Sequence, residues 1–182
     1  MNTVFYATKG GQGTTVTAAA FALNIAANGT NVLLVDYRGG DAAAALGLPT
    51  SSEDGTVTDV VPNLRLLTSP PSTIRRDTIQ LPYAEVYVFD ADEADVVDIE
   101  TRWGATPVAV VRNCYLALRK VIAGHKPERV VLVSEPGRSL RGSDVEAIMG
   151  VPVTVIKLDP AVARSVDAGL LASRVPAGLA AV

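Results

Sequence analysis

The stretch Thr3-Val4-Phe5-Tyr6-Ala7-Thr8-Lys9-Gly10-Gly11-Gln12-Gly13-Thr14-Thr15 decides how the rest of the chain is read. Its first five residues, mostly β-branched or aromatic, predict a strand. Three glycines at positions 10, 11 and 13 then break the pattern, and an Ala-rich run from Thr15 to Asn28 predicts a helix. A strand, a glycine loop and a helix in that order can cradle an anion. Glycines let successive backbone N–H groups point inward, and the helix N-terminus adds partial positive charge. The plain alternative is a tight turn that happens to be rich in glycine.

Outward from this unit the same alternation continues. Strands are predicted over Val32 to Asp36, Leu64 to Thr68, Val86 to Asp90, Val108 to Arg112, Val130 to Ser134 and Val153 to Leu158, about seven with the first. Several of these runs are apolar at consecutive positions, as parallel strands covered on both faces require. Helices are predicted over Asp41 to Leu46, Ile74 to Gln80, Ala94 to Arg102, Tyr115 to Ala123, Ser143 to Met149 and Pro160 to Ala172. Gly29 suits a left-handed helix end, Ser143 a capping box, and Pro160 a first helical turn. Pro49 to Val61 reads as a loop. The expected fold class is α/β, a three-layer, doubly wound structure on a mainly parallel sheet, forming one domain over residues 1–182.

Composition narrows the function. The chain has 182 residues, 48% hydrophobic and 19% charged, enough for a buried core. Its net charge of -3 argues against a surface coated for nucleic acid, so any such contact is regional. One cysteine (Cys114) and one histidine (His125) exclude a disulfide framework and a Cys/His zinc site. No apolar run approaches the roughly 18 residues of a membrane span, and a cytoplasmic location is expected. The one regional excess of positive charge is Arg112, Arg119, Lys120, Lys126, Arg129, Arg138 and Arg141, seven basic residues against Glu128 and Glu135. It reads either as a phosphate-backbone surface for DNA or as solvated helix faces. Cys114 is expected to be a small buried side chain and His125 a surface or capping residue.

Two phosphate-loop patterns fit imperfectly. The dinucleotide fingerprint lacks its third glycine, because position 16 is Val. The pattern G-x-x-x-x-G-K-[ST] fails at Thr8 and Thr14. The loop nevertheless resembles the deviant Walker A motif K-G-G-x-G-K-[ST] of the ParA/MinD family, a P-loop NTPase type. Lys9, Gly10, Gly11, Gly13 and Thr15 match, and Thr14 stands where the second lysine belongs. Val32 to Asp36 resembles that family's second strand and first switch, Val86 to Asp90 its Walker B strand, and Asp159-Pro160 the start of the segment that approaches the base.

The resemblance implies a nucleotide site for ATP and Mg²⁺. Lys9, Gly10, Gly11, Gln12, Gly13, Thr14 and Thr15 would line the phosphates, and Asp159 and Pro160 the base. Thr15, Asp36 and Asp90 would hold the ion, with Lys9, Asp36 and Asp41 as catalytic candidates. It further implies a homodimer across the nucleotide face, a ParB-like partner protein, and non-specific DNA binding through the basic residues above. Membrane binding is not expected, since Arg174 is the only cation of the apolar Ala168 to Val182 stretch. Arg38 occupies the place of a second switch acid, leaving Asp41 as the nearby substitute. Ser134-Glu135 departs from an adenine-reading Asn. Three readings stay open: a partition or cargo-positioning switch with slow hydrolysis, a non-hydrolysing adaptor, and a metabolic ATP-dependent enzyme.

Overall fold

The structure is a computed structural model that describes residues 1–49, 55–68 and 83–182. Its elements run β1 (Thr3–Ala7), α1 (Thr14–Ala27), β2 (Val32–Asp36), α2 (Asp41–Leu46), β3 (Thr56–Val61), β4 (Leu64–Thr68), β5 (Val86–Asp92), α3 (Val96–Trp103), β6 (Thr106–Arg112), α4 (Tyr115–Ala123), β7 (Arg129–Ser134), α5 (Gly142–Met149), β8 (Val153–Lys157) and α6 (Pro160–Asp167). The eight strands form one sheet in the order β3-β4-β2-β5-β1-β6-β7-β8. Every pair is parallel except β3 with β4. Parallel strands need helical crossovers, and these cover both faces of the sheet.

On one face, Ala18, Ala19, Ala20, Ala22 and Ala26 of α1 pack with Ala42, Ala43, Ala45 and Leu46 of α2 against Phe5, Leu34, Val88 and Val110. Alanine permits this close approach because it brings almost no side-chain bulk and loses no rotamer freedom. Leu171 and Leu179 complete that layer, and Asn24 Nδ2 donates to the carbonyls of Leu179 and Val182. The C-terminal apolar stretch therefore covers the sheet. On the other face, Val96 and Ile99 of α3, Leu118 and Val121 of α4 and Val145 of α5 pack on Val4, Tyr6, Phe89 and Leu132. No helix among the described residues is long and apolar enough to cross a membrane.

Several expectations need correction. The loop read over Pro49 to Val61 contains β3, an antiparallel edge strand in which Thr56, Asp59 and Val61 stand opposite Thr68, Arg65 and Leu64. Only half-buried, it tolerates Thr and Asp, which disguise it. The turn at Pro62-Asn63 was the available signal, since Pro suits the first central position and Asn63 adopts φ 65°. α5 starts at Gly142, and the Arg141 N–H donates to Asp144 Oδ2 at 2.8 Å, so the box is centred on Arg141 and not on Ser143. α6 ends at Asp167, and Gly169 at φ 64° turns the chain away before Ala172. The first residues of the helix read over Ala94 to Arg102 belong to a 3₁₀ turn, Glu93–Asp95. The helix read over Ile74 to Gln80 lies outside the described residues.

Candidate functional site

Because β1 is central and parallel to both neighbours, its C-terminal end opens into a crevice flanked by the ends of β5 and β2 on one side and of β6, β7 and β8 on the other. Open α/β sheets place ligands in this position. The glycine loop spans it. Gly11 and Gly13 sit at φ 74° and 91°, a backbone that only glycine adopts without strain. The α1 N-terminus follows at Thr14, with the Thr17 hydroxyl donating to the Gly13 carbonyl at 2.8 Å.

Gln12 holds this loop in shape. The side chain is 6% exposed. Its Nε2 donates to the Gly10 carbonyl at 3.3 Å, and its Oε1 accepts the Arg112 peptide N–H at 2.9 Å. The Gln12 side chain thus braces the loop on β6. Lys9, Gly10 and Gly11 are exposed, Gly13 and Thr15 half-buried, and Thr14 buried.

On the β5 and β2 side, Asp36 and Asp90 stand opposite one another in the ladder. Both are buried, yet their surroundings differ. Asp36 Oδ1 accepts the Arg38 N–H at 2.8 Å, and Oδ2 accepts those of Gly40 at 2.9 Å and Ala42 at 3.0 Å. Three backbone bonds commit this carboxylate to the loop that leads into α2. Asp90 has no partner in hydrogen-bond geometry on either oxygen. Burial pushes its acid from 3.8 up to about 7; Asp36 and Asp41 add to the rise, while the nearby Thr15 hydroxyl and Arg38 oppose it. A buried, unpartnered carboxylate beside a hydroxyl is an oxygen donor set suited to a hard cation. Among the described residues no three His, Cys, Asp or Glu side chains cluster to hold a metal unaided. A cation here needs further oxygens from ligand or water.

Arg38 points to β5: its Nη1 lies 3.0 Å from Asp92 Oδ1. Asp41 is exposed at the start of α2. An open cleft of about 640 Å³ bounded by Thr15, Asp41, Ala44, Val166 and Gly169 gives access to this side of the loop.

On the opposite flank, Asp159 caps α6 by accepting the Ala161 N–H at 2.7 Å, with Pro160 as the first helical residue. Asn113, unnoticed in the sequence, is 4% exposed. Its Nδ2 donates to the carbonyls of Glu135 and Leu140, and its Oδ1 accepts the Glu135 N–H. Glu135 in turn pairs with Arg112 and Arg138, each at 3.1 Å. Cys114 is only half-buried, packed against the core at the start of α4, where the N–H groups of Ala117 and then Leu116 lower the pKa of its thiol. His125 is more than a surface residue. Its Nε2 lies 2.8 Å from Glu100, its N–H donates to Glu93, and its carbonyl accepts the Tyr6 hydroxyl.

The basic residues do not share one end of the molecule. Arg112 ends β6 and Arg138 and Arg141 follow β7, all at the C-terminal end of the sheet, whereas Lys126 and Arg129 lie at the start of β7. A six-residue strand, about 17–20 Å, separates them.

No protein-family model matches the chain, and no curated protein matches it. Solved structures do. The Pyrococcus furiosus cell division ATPase MinD is 18% identical with a TM-score of 0.74, covering 100% of this chain and 95% of that one. A ParA family ATPase from Chlorobium tepidum is 19% identical with a TM-score of 0.69, covering 98% and 94%. The septum site-determining protein MinD of Pyrococcus horikoshii, complexed with Mg-ADP, is 16% identical with a TM-score of 0.70, covering 94% and 88%.

Proposed function

We propose that this chain, which has the fold of the ParA/MinD family ATPases, is a nucleotide-dependent switch in DNA partition or cargo positioning. It binds ATP with Mg²⁺ in the glycine loop, and two copies pair across the nucleotide face. The observation that carries this reading is the preformed loop with the orphaned Asp90 carboxylate beside Thr15. That pair fits a cation better than any structural role, because a buried carboxylate without partners destabilises the chain that carries it. Bound Mg²⁺ would neutralise phosphate charge; Thr15 and Asp90 would hold it, with Asp36 restricted to its remaining lone pair.

The chain's own residues favour binding over turnover. Backbone N–H groups of Gly10 to Thr15 would take the phosphates, and Lys9, exposed at the loop's start, would reach them from within or across a dimer. Thr14 adds no charge. Arg38 is held by Asp92 and cannot orient a water as an acid would. Among the described residues Asp41 is the acid of the switch loop left for that task, so hydrolysis is expected to be slow. If it is absent, the chain is an adaptor that works by protein contacts, a reading the Arg38–Asp92 pair specifically favours. Among the described residues no second catalytic constellation supports a metabolic enzyme. A ParB-like partner, and DNA held by Arg138 and Arg141 beyond the end of β7, complete the proposal, in a cytoplasmic setting.

Titration with labelled ATP and ADP, followed by turnover and sizing, tests it: absence of nucleotide binding ends the reading. Binding without turnover selects the adaptor, and nucleotide-driven dimers with DNA-stimulated turnover select partition. Lys9→Ala is expected to weaken triphosphate binding and dimer formation by about 10- to 100-fold, the worth of a charge-assisted contact. Since Lys9 is exposed, the melting temperature should not move. A variant that assembles normally refutes its role.

A further inference from the structure

We infer that Arg112 supplies the phosphate-facing cation that position 14 has lost; this rests on the nucleotide site proposed above. A triphosphate carries more negative charge than backbone N–H groups neutralise, and P-loops ordinarily answer with a lysine at the helix start. Here that residue is Thr14, 5% exposed and uncharged. A replacement must come from a strand end beside the loop.

Arg112 is the last residue of β6, the strand paired with β1 on the side away from Asp90. It is bolted to the loop: its peptide N–H donates to Gln12 Oε1 at 2.9 Å, across 100 residues of sequence. The Arg112 side chain is 39% exposed, with Nη1 3.1 Å from Glu135 Oε1. Its Nε is buried and has no partner, an unpaired donor that awaits an acceptor. Arginine suits the task, since its planar fork binds phosphate through two parallel N–H groups.

Charge at this flank supports the same assignment. Glu135 takes both Arg112 and Arg138. Two cations on one carboxylate leave one positive charge over. Arg138 bonds the other carboxylate oxygen through Nε, so Glu135 stays paired when Arg112 turns to a phosphate. Asn113 pins the Glu135 backbone from both sides and fixes where Arg112 waits. A purely structural ion pair between β6 and β7 needs neither the second arginine nor the bond to Gln12.

The test compares affinities for Mg-ATP, Mg-ADP and inorganic tripolyphosphate in wild type, Arg112→Ala, Arg112→Lys and the Arg112→Ala/Thr14→Lys double variant, with melting temperatures alongside. Arg112→Ala should lose at least tenfold for tripolyphosphate and ATP and less for ADP. Arg112→Lys should retain part of the affinity, because the charge stays while the two-pronged contact is lost, and Thr14→Lys should restore what Arg112→Ala lost. Folded Arg112→Ala that binds tripolyphosphate within twofold of wild type overturns the proposal. So does an Arg112→Lys variant as impaired as Arg112→Ala, which would mark a structural contact that only arginine makes. Wild-type protein that takes up neither ATP nor tripolyphosphate refutes the nucleotide-binding reading itself, before any variant is made.

Discussion

Raising the pH from 4 to 7 is expected to remove about 3 kcal/mol of folding stability from the ligand-free protein through Asp90 alone. In the unfolded chain this carboxyl ionises near 3.8, whereas in the fold it stays protonated up to about 7. Between those values the unfolded state has released a proton that the folded state still holds, so stability falls as pH rises. Above about 7 both states are ionised and the decline stops. Asp90→Asn keeps the shape and removes the titration. Denaturant unfolding of both proteins across this range, compared as a difference, isolates the residue from all other groups. Equal slopes would mean that Asp90 is hydrated or paired in solution. Mg-nucleotide should flatten the wild-type decline and leave the Asn variant unaffected, because a bound cation favours the ionised carboxylate.

Gly47→Ala is the second large effect, a loss of about 3 kcal/mol or more. Gly47 ends α2 at φ 74°, and a Cβ there would lie 1.9 Å from the Gly169 carbonyl oxygen. Neither backbone can yield as a flexible side chain would, so α2 and the turn after α6 must separate. For a chain of this size that corresponds to a melting temperature lower by about 6–12 °C. Gly104→Ala is the control: its φ of 55° carries similar backbone strain, but nothing lies within 4 Å of the added carbon. If the two variants melt together, the close approach of Gly47 to Gly169 contributes nothing. Because α2 begins in the loop that Asp36 organises, Gly47→Ala should also disturb the Arg38 to Ala42 backbone, and hydrogen exchange there reports it.

The central strands and the glycine loop were legible in the sequence because their causes are local. A strand covered on both faces must be apolar at successive positions, and a loop with left-handed residues must contain glycine at them. β3 escaped because an edge strand obeys neither demand strongly, and its alternation, interrupted by Thr and Asp, looks like a polar loop. The side proposed to hold a cation was half legible: Asp36 and Asp90 were found as strand-end acids, but not the difference between them.

What residue types alone determined is therefore the scaffold and the glycine loop proposed to hold an anion. The tertiary structure alone decided the division of labour around that place. Asp36 is tied into backbone while Asp90 is left without partners, Arg38 is drawn to Asp92, and Gln12 reaches Arg112 across 100 positions. The reason is physical: a backbone preference is set by near neighbours, whereas the state of a charged side chain depends on which distant strand end the sheet order brings beside it.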